Sequence, residues 1–307
     1  MSHNKIHIIF NPAAAGGKAG ENKEIILSEF IRQYGDNFEF SETLSENDAE
    51  RIAGEAVESG YEVIIAVGGD GTVNQVVNGM LKSSGHGSIK TRLGIISFGT
   101  GQGFSQSLGL PEDLASQIKV IKNDVSRSVD IGRIGFGSNH SAKYFINELQ
   151  FGIGGKLTES ISPLTKKILG RFAFGFEAVK TLLNYKASEI RIDLEEISKT
   201  ENVLGVIISN GAYTGGGMML TPDALLNDGL FDVLIIEDMP LKDRLNSFSK
   251  IYSGRHIGLP GFKLFRTREL RFSYTNGMLA EADGELIRNK CFSSEVIPSA
   301  LRVISNN

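Results

Sequence analysis

The sequence predicts an α/β N-terminal domain with a doubly wound, mostly parallel sheet, joined to a C-terminal β-rich, sandwich-like domain with helical insertions. Strands and helices alternate up to about residue 125, as a parallel sheet with crossover helices requires. Runs such as Val63-Ile64-Ile65-Ala66-Val67 are apolar without interruption, which suits strands covered on both faces. Beyond 125, short strand-like runs and hairpin signals such as Asn276-Gly277 and Asp283-Gly284 take over.

Lys5–Phe10 reads as the first strand, followed by a glycine-rich loop and a helix from near Glu21. A strand at 38–43, a helix at 46–59, the strand at 63–67 and a helix at 73–81 come next. In that helix the apolar residues Val73, Val76, Val77, Met80 and Leu81 recur at helical spacing, with Thr72 placed to cap it. A strand at 93–97 and a helix at 112–122 complete the first domain. Strands are expected at 127–134, 143–150, 188–194, 203–210, 230–236, 269–275, 278–282 and 299–304, and helices at 164–185 and 241–253. The domains are therefore placed at 1–125 and 126–295, with a last strand at 296–307 returning to the first domain and a cleft between the two.

Composition fits a soluble enzyme. At 307 residues and 41% hydrophobic content the chain can bury a sizeable core, and no run nears the roughly 20 apolar residues of a membrane span. Cys291 is the single cysteine and the N-terminus has no signal-peptide core, so a cytoplasmic location is expected. A net charge of −4 argues against a nucleic-acid partner.

Gly68-Gly69-Asp70-Gly71-Thr72 sits where a buried strand meets a helix. Its glycines let backbone approach a ligand, and a helix start offers free N–H groups and a partial positive charge, which suits phosphate. Asp70 suits a magnesium ion or proton transfer. An ordinary βα turn is the bland alternative, but two more glycine-rich loops follow strands: Asn11 to Gly20, and Phe98 to Phe104. Neither fits a P-loop or a dinucleotide fingerprint, since Pro12 and Ala19 break the first pattern and the glycine spacing of 99–103 breaks the second. Such loops converge on the crevice where open α/β sheets bind ligands.

These segments together resemble the bacterial diacylglycerol/lipid kinase family, whose catalytic domain is shared with sphingosine and ceramide kinases. The resemblance runs nearly end to end. It rests on Asn11-Pro12 with Gly16-Gly17-Lys18, on Gly68–Thr72 with Asn74, and on Leu93–Ile96 through Gly99-Thr100-Gly101. Later come Phe145-Ile146-Asn147, Lys166-Lys167-Ile168-Leu169-Gly170, Ser209-Asn210-Gly211, Pro222-Asp223-Ala224 with Asp228-Gly229-Leu230, and Asp283-Gly284-Glu285. NAD kinases share the Gly-Gly-Asp-Gly core but lack the last two blocks.

The resemblance implies an ATP- and Mg²⁺-dependent kinase that phosphorylates the hydroxyl of a membrane lipid alcohol, diacylglycerol-like or sphingoid-like. It implies nucleotide contacts at Asn11, Lys18, Thr43, Gly68, Gly69, Asp70, Gly71, Thr72, Asn74 and Thr100. Glu285 matches the base of the bacterial members and Asp70 the residue often given that role in sphingosine kinases, so Glu285 is read as base and Asp70 as orienting magnesium or acceptor. Asp228, with carbonyls matching Leu225 and Leu230, would hold a structural magnesium. One departure stands out: the family's Gly-Thr-x-Asn-Asp-Phe-Ala becomes Gly99-Thr100-Gly101-Gln102-Gly103-Phe104-Ser105, so the usual acid is Gly103. Another acceptor alcohol and a non-catalytic nucleotide- or lipid-binding protein both remain open, with an NAD kinase-like enzyme as a further alternative. Peripheral contact with the inner membrane face is expected. The basic, aromatic stretch 255–271 and Lys166, Lys167 and Arg171 are candidate surfaces, each also readable as an ordinary charged face. A homodimer is left open.

Overall fold

The computed structural model describes residues 5–85, 89–98, 102–136, 142–160, 172–195, 197–275 and 277–306. The chain divides into two units, Met1–Asp130 with Ser299–Asn307, and Ile131–Pro298.

The first unit is built on β1 (Ile6–Phe10), β2 (Phe38–Glu42), β3 (Val63–Gly68) and β4 (Arg92–Ser97), in the order β4-β3-β1-β2. All are parallel: Ile6 pairs with Phe38 on one side and Val63 on the other, and Val63 with Arg92. β1 and β3 are buried along their whole length, which explains why their sequences do not alternate. The end of a long strand, β17 (Cys291–Ile304), returns here, with Arg302 and Val303 alongside Arg92 and Leu93 of β4.

The helices of this unit include α1 (Lys23–Tyr34), α2 (Asp48–Glu58), α3 (Asp70–Ser83) and α4 (Gly103–Ser107). α2 turns Ala49, Ile52, Ala53 and Ala56 inward onto α3. The two helices touch backbone to backbone at Gly79, where an added Cβ would lie 2.0 Å from the carbonyl oxygen of Glu50. A further helix, α5 (Leu114–Asn123), is capped by Asp113, which accepts a bond from the Ser116 N–H at 2.9 Å.

The chain crosses into the second unit within β5 (Ser126–Phe136). There β6 (Lys143–Phe145) and β7 (Glu148–Gly152) replace the single strand expected over 143–150, because the chain bends at Ile146-Asn147. α6 (Ile153–Ser160) follows, and α7 (Phe172–Asn184) is the described part of the helix expected at 164–185. β8 (Ser188–Leu194) and the thirteen-residue β9 (Ile197–Ser209) come next. The first half of β9 pairs antiparallel with β8, and its second half with β7 and β12 (Phe231–Glu237). A two-residue pair, β10 (Tyr213–Thr214) and β11 (Met218–Met219), lies between.

After α8 (Leu241–Ile251), β13 (Phe262–Thr267) pairs with β12, and β14 (Glu269–Tyr274) lies between β8 and β17. β15 (Ala280–Ala282) and β16 (Glu285–Ile287) form a hairpin on the edge of β7. Phe145 stacks on Phe231 at 5.4 Å and Phe151 meets Phe272 at 4.6 Å in the core of this unit. β13 and β16 have no counterpart among the expected strands: Phe262–Thr267 carries Lys and Arg among its aromatics and reads as a basic patch, while Glu285–Ile287 is too short to register.

Candidate functional site

In the first unit the strand order 2-1-3-4 reverses direction at β1, so the crevice lies outside the carboxyl ends of β1 and β3. Asn11 leaves β1 there, and its side-chain amide donates to Thr72 Oγ1 at 2.9 Å, closing the switch point. Its Oδ1 accepts from the Ala13 N–H at 3.0 Å, which shapes the first loop. On the far side of β1, the Thr43 N–H donates to the Phe10 carbonyl at 2.9 Å.

Gly69 precedes α3 in an extended conformation, so the helix begins at Asp70 with its first N–H groups directed toward the crevice. Gly68 is required by space, since a Cβ there would stand 2.5 Å from Thr72 Oγ1. Lys18 is exposed at the start of a short helical turn. Gly68, Gly69, Asp70, Gly71, Thr72, Asn11 and Thr43 are thus gathered at one edge of the sheet. Asn74, one helical turn beyond Asp70, is buried within α3, where its side chain and carbonyl accept from the Asn78 amide. Thr100 lies outside the described residues.

Asp70 turns toward the third loop. Its Oδ2 accepts from the Gly103 N–H at 3.3 Å, and burial raises its carboxyl above the usual range, opposed by backbone N–H donors from Gly103, Phe104 and Gln102. The carboxylate therefore caps α4, whose preceding residue Gln102 is left-handed at φ 49°. A desolvated carboxyl of this kind is one that an adjacent cation would return to its charged form, and its oxygen suits magnesium.

In the second unit the motifs far apart in sequence meet. Asp283 and Gly284 both have positive φ, 48° and 83°, as a two-residue type I′ hairpin demands. The Asp283 carboxylate accepts from the N–H groups of Ile146 at 2.7 Å, Asn147 at 2.9 Å and Glu148 at 3.0 Å. Asn210 donates from its amide to the Ile146 carbonyl at 2.8 Å, and Asn147 donates to the Tyr213 carbonyl at 2.6 Å. The bend at Ile146-Asn147 is thus tied to the hairpin and to the loop after β9.

Glu285 is half-buried at the start of β16 and accepts from Lys143 Nζ at 3.0 Å. The paired strand β15 carries a carboxyl that sequence reasoning missed. Glu281 is buried, and desolvation, then the charge of neighbouring Glu148, push its carboxyl well above the ordinary value. It accepts from the Gly284 N–H at 2.7 Å, while Glu148 accepts from the Thr214 hydroxyl. Three acids within Glu281-Ala282-Asp283-Gly284-Glu285 were the available signal, hidden by the alternation of an ordinary strand.

The same unit holds an open-sided apolar cavity of about 80 Å³ between β7, β9, α6, α7 and α8, lined by Leu157, Leu182, Leu204, Ile236 and Phe248 among others. Arg244 stands in its wall. Its guanidinium donates to the carbonyls of Tyr185 at 2.7 Å and Leu182 at 3.4 Å, clamping the end of α7 to the start of α8.

The ion expected at Asp228 does not fit this geometry. One carboxylate oxygen accepts from the Leu230 N–H at 3.0 Å and the other is paired with the Arg266 guanidinium, which also lies 3.5 Å from Asp232. Leu225 is exposed. Among the described residues no cluster of three or more His, Cys, Asp or Glu is arranged to hold a metal. Arg266 already supplies the positive charge between these aspartates, so a magnesium ion would have to displace it.

Comparison with known proteins matches residues 5–134 to the diacylglycerol kinase catalytic domain and 149–305 to the YegS C-terminal NAD kinase beta sandwich-like domain. The chain is 31% identical over 287 residues to the diacylglycerol kinase of Staphylococcus epidermidis, covering 92% of this chain and 85% of the relative. It is 28% identical to the diacylglycerol kinase of Bacillus subtilis, covering 92% and 89%. With a probable lipid kinase YegS-like of Pseudomonas aeruginosa it shares 27% identity, covering 99% and 95%. A solved diacylglycerol kinase from Bacillus anthracis superposes with a TM-score of 0.73 at 20% identity, covering 100% and 98%, and another chain from that strain with 0.82 at 22%, covering 100% and 96%. These last two likenesses bear on the fold.

Proposed function

The chain belongs to the diacylglycerol/lipid kinase family and is a lipid kinase, and from that premise we propose that it transfers the γ-phosphoryl group of ATP, with Mg²⁺, to the hydroxyl of a membrane lipid alcohol, diacylglycerol-like or sphingoid-like. The observation that carries this reading is the Asn11–Thr72 bond across the switch point, which brings two loops and the start of α3 together where an anion is favoured. Asn11, Lys18, Thr43, Thr100 and the 68–72 backbone hold the nucleotide phosphates. Lys18 adds the mobile charge that backbone donors lack.

Phosphoryl transfer through a loose transition state asks chiefly for positioning and charge neutralisation. Bound magnesium supplies the charge that neutralises the phosphate oxygens. Asp70 fixes the third loop by capping α4 and orients magnesium or the acceptor. Glu285, held by Lys143, takes the proton of the attacking hydroxyl as the new P–O bond forms and the bond from the γ-phosphorus to the bridging oxygen breaks, releasing ADP. The cavity of the second unit takes the acyl or alkyl chain, which is apolar where the cavity is apolar. Gly103 leaves the third loop without the acid common in this family, which is why a sphingoid-like alcohol stands beside diacylglycerol among the proposed acceptors. The lipid is met by peripheral contact with the membrane in this reading; among the described residues no helix is long and apolar enough to cross one.

The test is incubation of the purified protein with labelled ATP, Mg²⁺ and mixed micelles of diacylglycerols, sphingoid bases and related alcohols. A phosphorylated lipid is the expected product. No product from any lipid in the presence of intact, ATP-binding protein would contradict the reading.

A further inference from the structure

α8 carries an apolar stripe that nothing among the described residues of the second unit covers. Leu241, Leu245, Phe248 and Tyr252 follow one another at intervals of four, three and four residues, which places them on one helix face. Leu241 is 44%, Leu245 41% and Tyr252 40% exposed. Phe248 is half-buried, reaching the cavity while its ring meets Tyr252 edge-on at 5.8 Å. α7, clamped to α8 by Arg244, exposes Val179 and Leu183 one turn apart. The buried faces of the same two helices line the apolar cavity through Ala178, Thr181, Leu182, Ser247 and Ile251.

The charge around this face opposes that of the chain. Lys180, Lys186, Lys242 and Arg255 are exposed there, and between 177–186 and 241–255 the only exposed acid is Asp243. The whole chain carries −4. A basic, apolar-tipped helix pair on an acidic protein is complementary to anionic headgroups with acyl chains beneath them, and is poorly suited to a second copy of the same acidic chain.

We propose that the α7–α8 face docks the protein on the surface of a bilayer that contains anionic lipid. Leucines and Tyr252 enter the headgroup layer and the cations meet the lipid phosphates. Since these helices wall the cavity, the acceptor passes from the bilayer into it without exposing its chain to water. The passage of the acceptor rests on the lipid kinase reading; the docking does not.

Co-sedimentation of the full-length protein with vesicles tests it. One set is phosphatidylcholine alone and the other has equal parts of phosphatidylglycerol. Wild type is expected in the pellet with the anionic set, released by salt as screening requires. Leu241→Ser with Leu245→Ser, both exposed positions, should weaken this partition by on the order of tenfold at an unchanged melting temperature. Lys242→Glu with Arg255→Glu should do the same on anionic vesicles only. On a short-chain acceptor dispersed in water, all variants should turn over at the wild-type rate. Partition indifferent to both pairs of substitutions overturns the proposal, and so does a wild-type dimer that the leucine variants convert to monomer. Vesicle binding through this face by a protein that phosphorylates no lipid supports the docking and contradicts the kinase reading, so the two fail separately.

Discussion

Replacing Asp283 tests how the hairpin that carries Glu285 is held. Asp283→Ala removes the acceptor of three backbone N–H groups, those of Ile146, Asn147 and Glu148. A buried donor left without a partner costs about 1–3 kcal/mol, and alanine in the left-handed region adds about 1–2 kcal/mol. Even at the low end the loss is about 4 kcal/mol. Asp283→Asn differs in a way the geometry dictates. Oδ1 accepts from Asn147 and Glu148 and Oδ2 from Ile146, so an amide with its oxygen at the Oδ1 position keeps two bonds and loses one. Asparagine also tolerates φ 48°, so its cost is about 1–3 kcal/mol. Denaturant unfolding measures both losses, and hydrogen exchange at 146–148 localises them: faster in the Asn variant, faster still in the Ala variant. Equal losses below about 1 kcal/mol, or unchanged protection of those three amides, would refute the reasoning.

Glu281 gives a pH test. Its folded-state pKa is raised, so its contribution to stability is full below the ordinary glutamate value and is lost as pH rises through the folded value. Glu281→Gln mimics the protonated form and should melt above wild type at neutral pH, with the difference vanishing in acid; a constant difference across a pH series of melts would contradict this. Gly79→Ala on α3 should cost about 2–3 kcal/mol by denaturant unfolding, because the new methyl meets a backbone carbonyl that cannot swing aside, and a loss within error would show that α2 and α3 slide freely. Without nucleotide, the wild-type melting temperature should be the same with and without magnesium, whereas Arg266→Met, which leaves Asp228 and Asp232 facing each other, should be destabilised and rescued by it; a wild type that magnesium raises by several degrees would restore an ion to Asp228.

The parallel sheet and its loops were legible because periodicity and glycine placement are local signals. Val63–Val67 followed by Gly68–Thr72 states both a buried strand and the close approach that Thr72 makes to Gly68. Three-dimensional bonds were not legible. Nothing in the sequence joins Asp283 to Ile146, Arg266 to Asp228, or Asp70 to Gly103, since each link spans tens of residues or more and depends on how strands are ordered. Asn74 was legible as part of a motif, but the bonds it accepts from Asn78 one turn on were not. Glu281 was masked because an acid between two alanines in a short strand looks like a solvent-facing residue.

The measurement closest to the central claim is phosphoryl transfer from labelled ATP to the preferred lipid by Asp70→Asn, read beside its melting curve. With the 68–72 loop organising phosphate, magnesium and the third loop, the variant should fold and lose nearly all turnover. Turnover equal to wild type in a folded Asp70→Asn protein would contradict the assignment of this loop as the phosphoryl-transfer site.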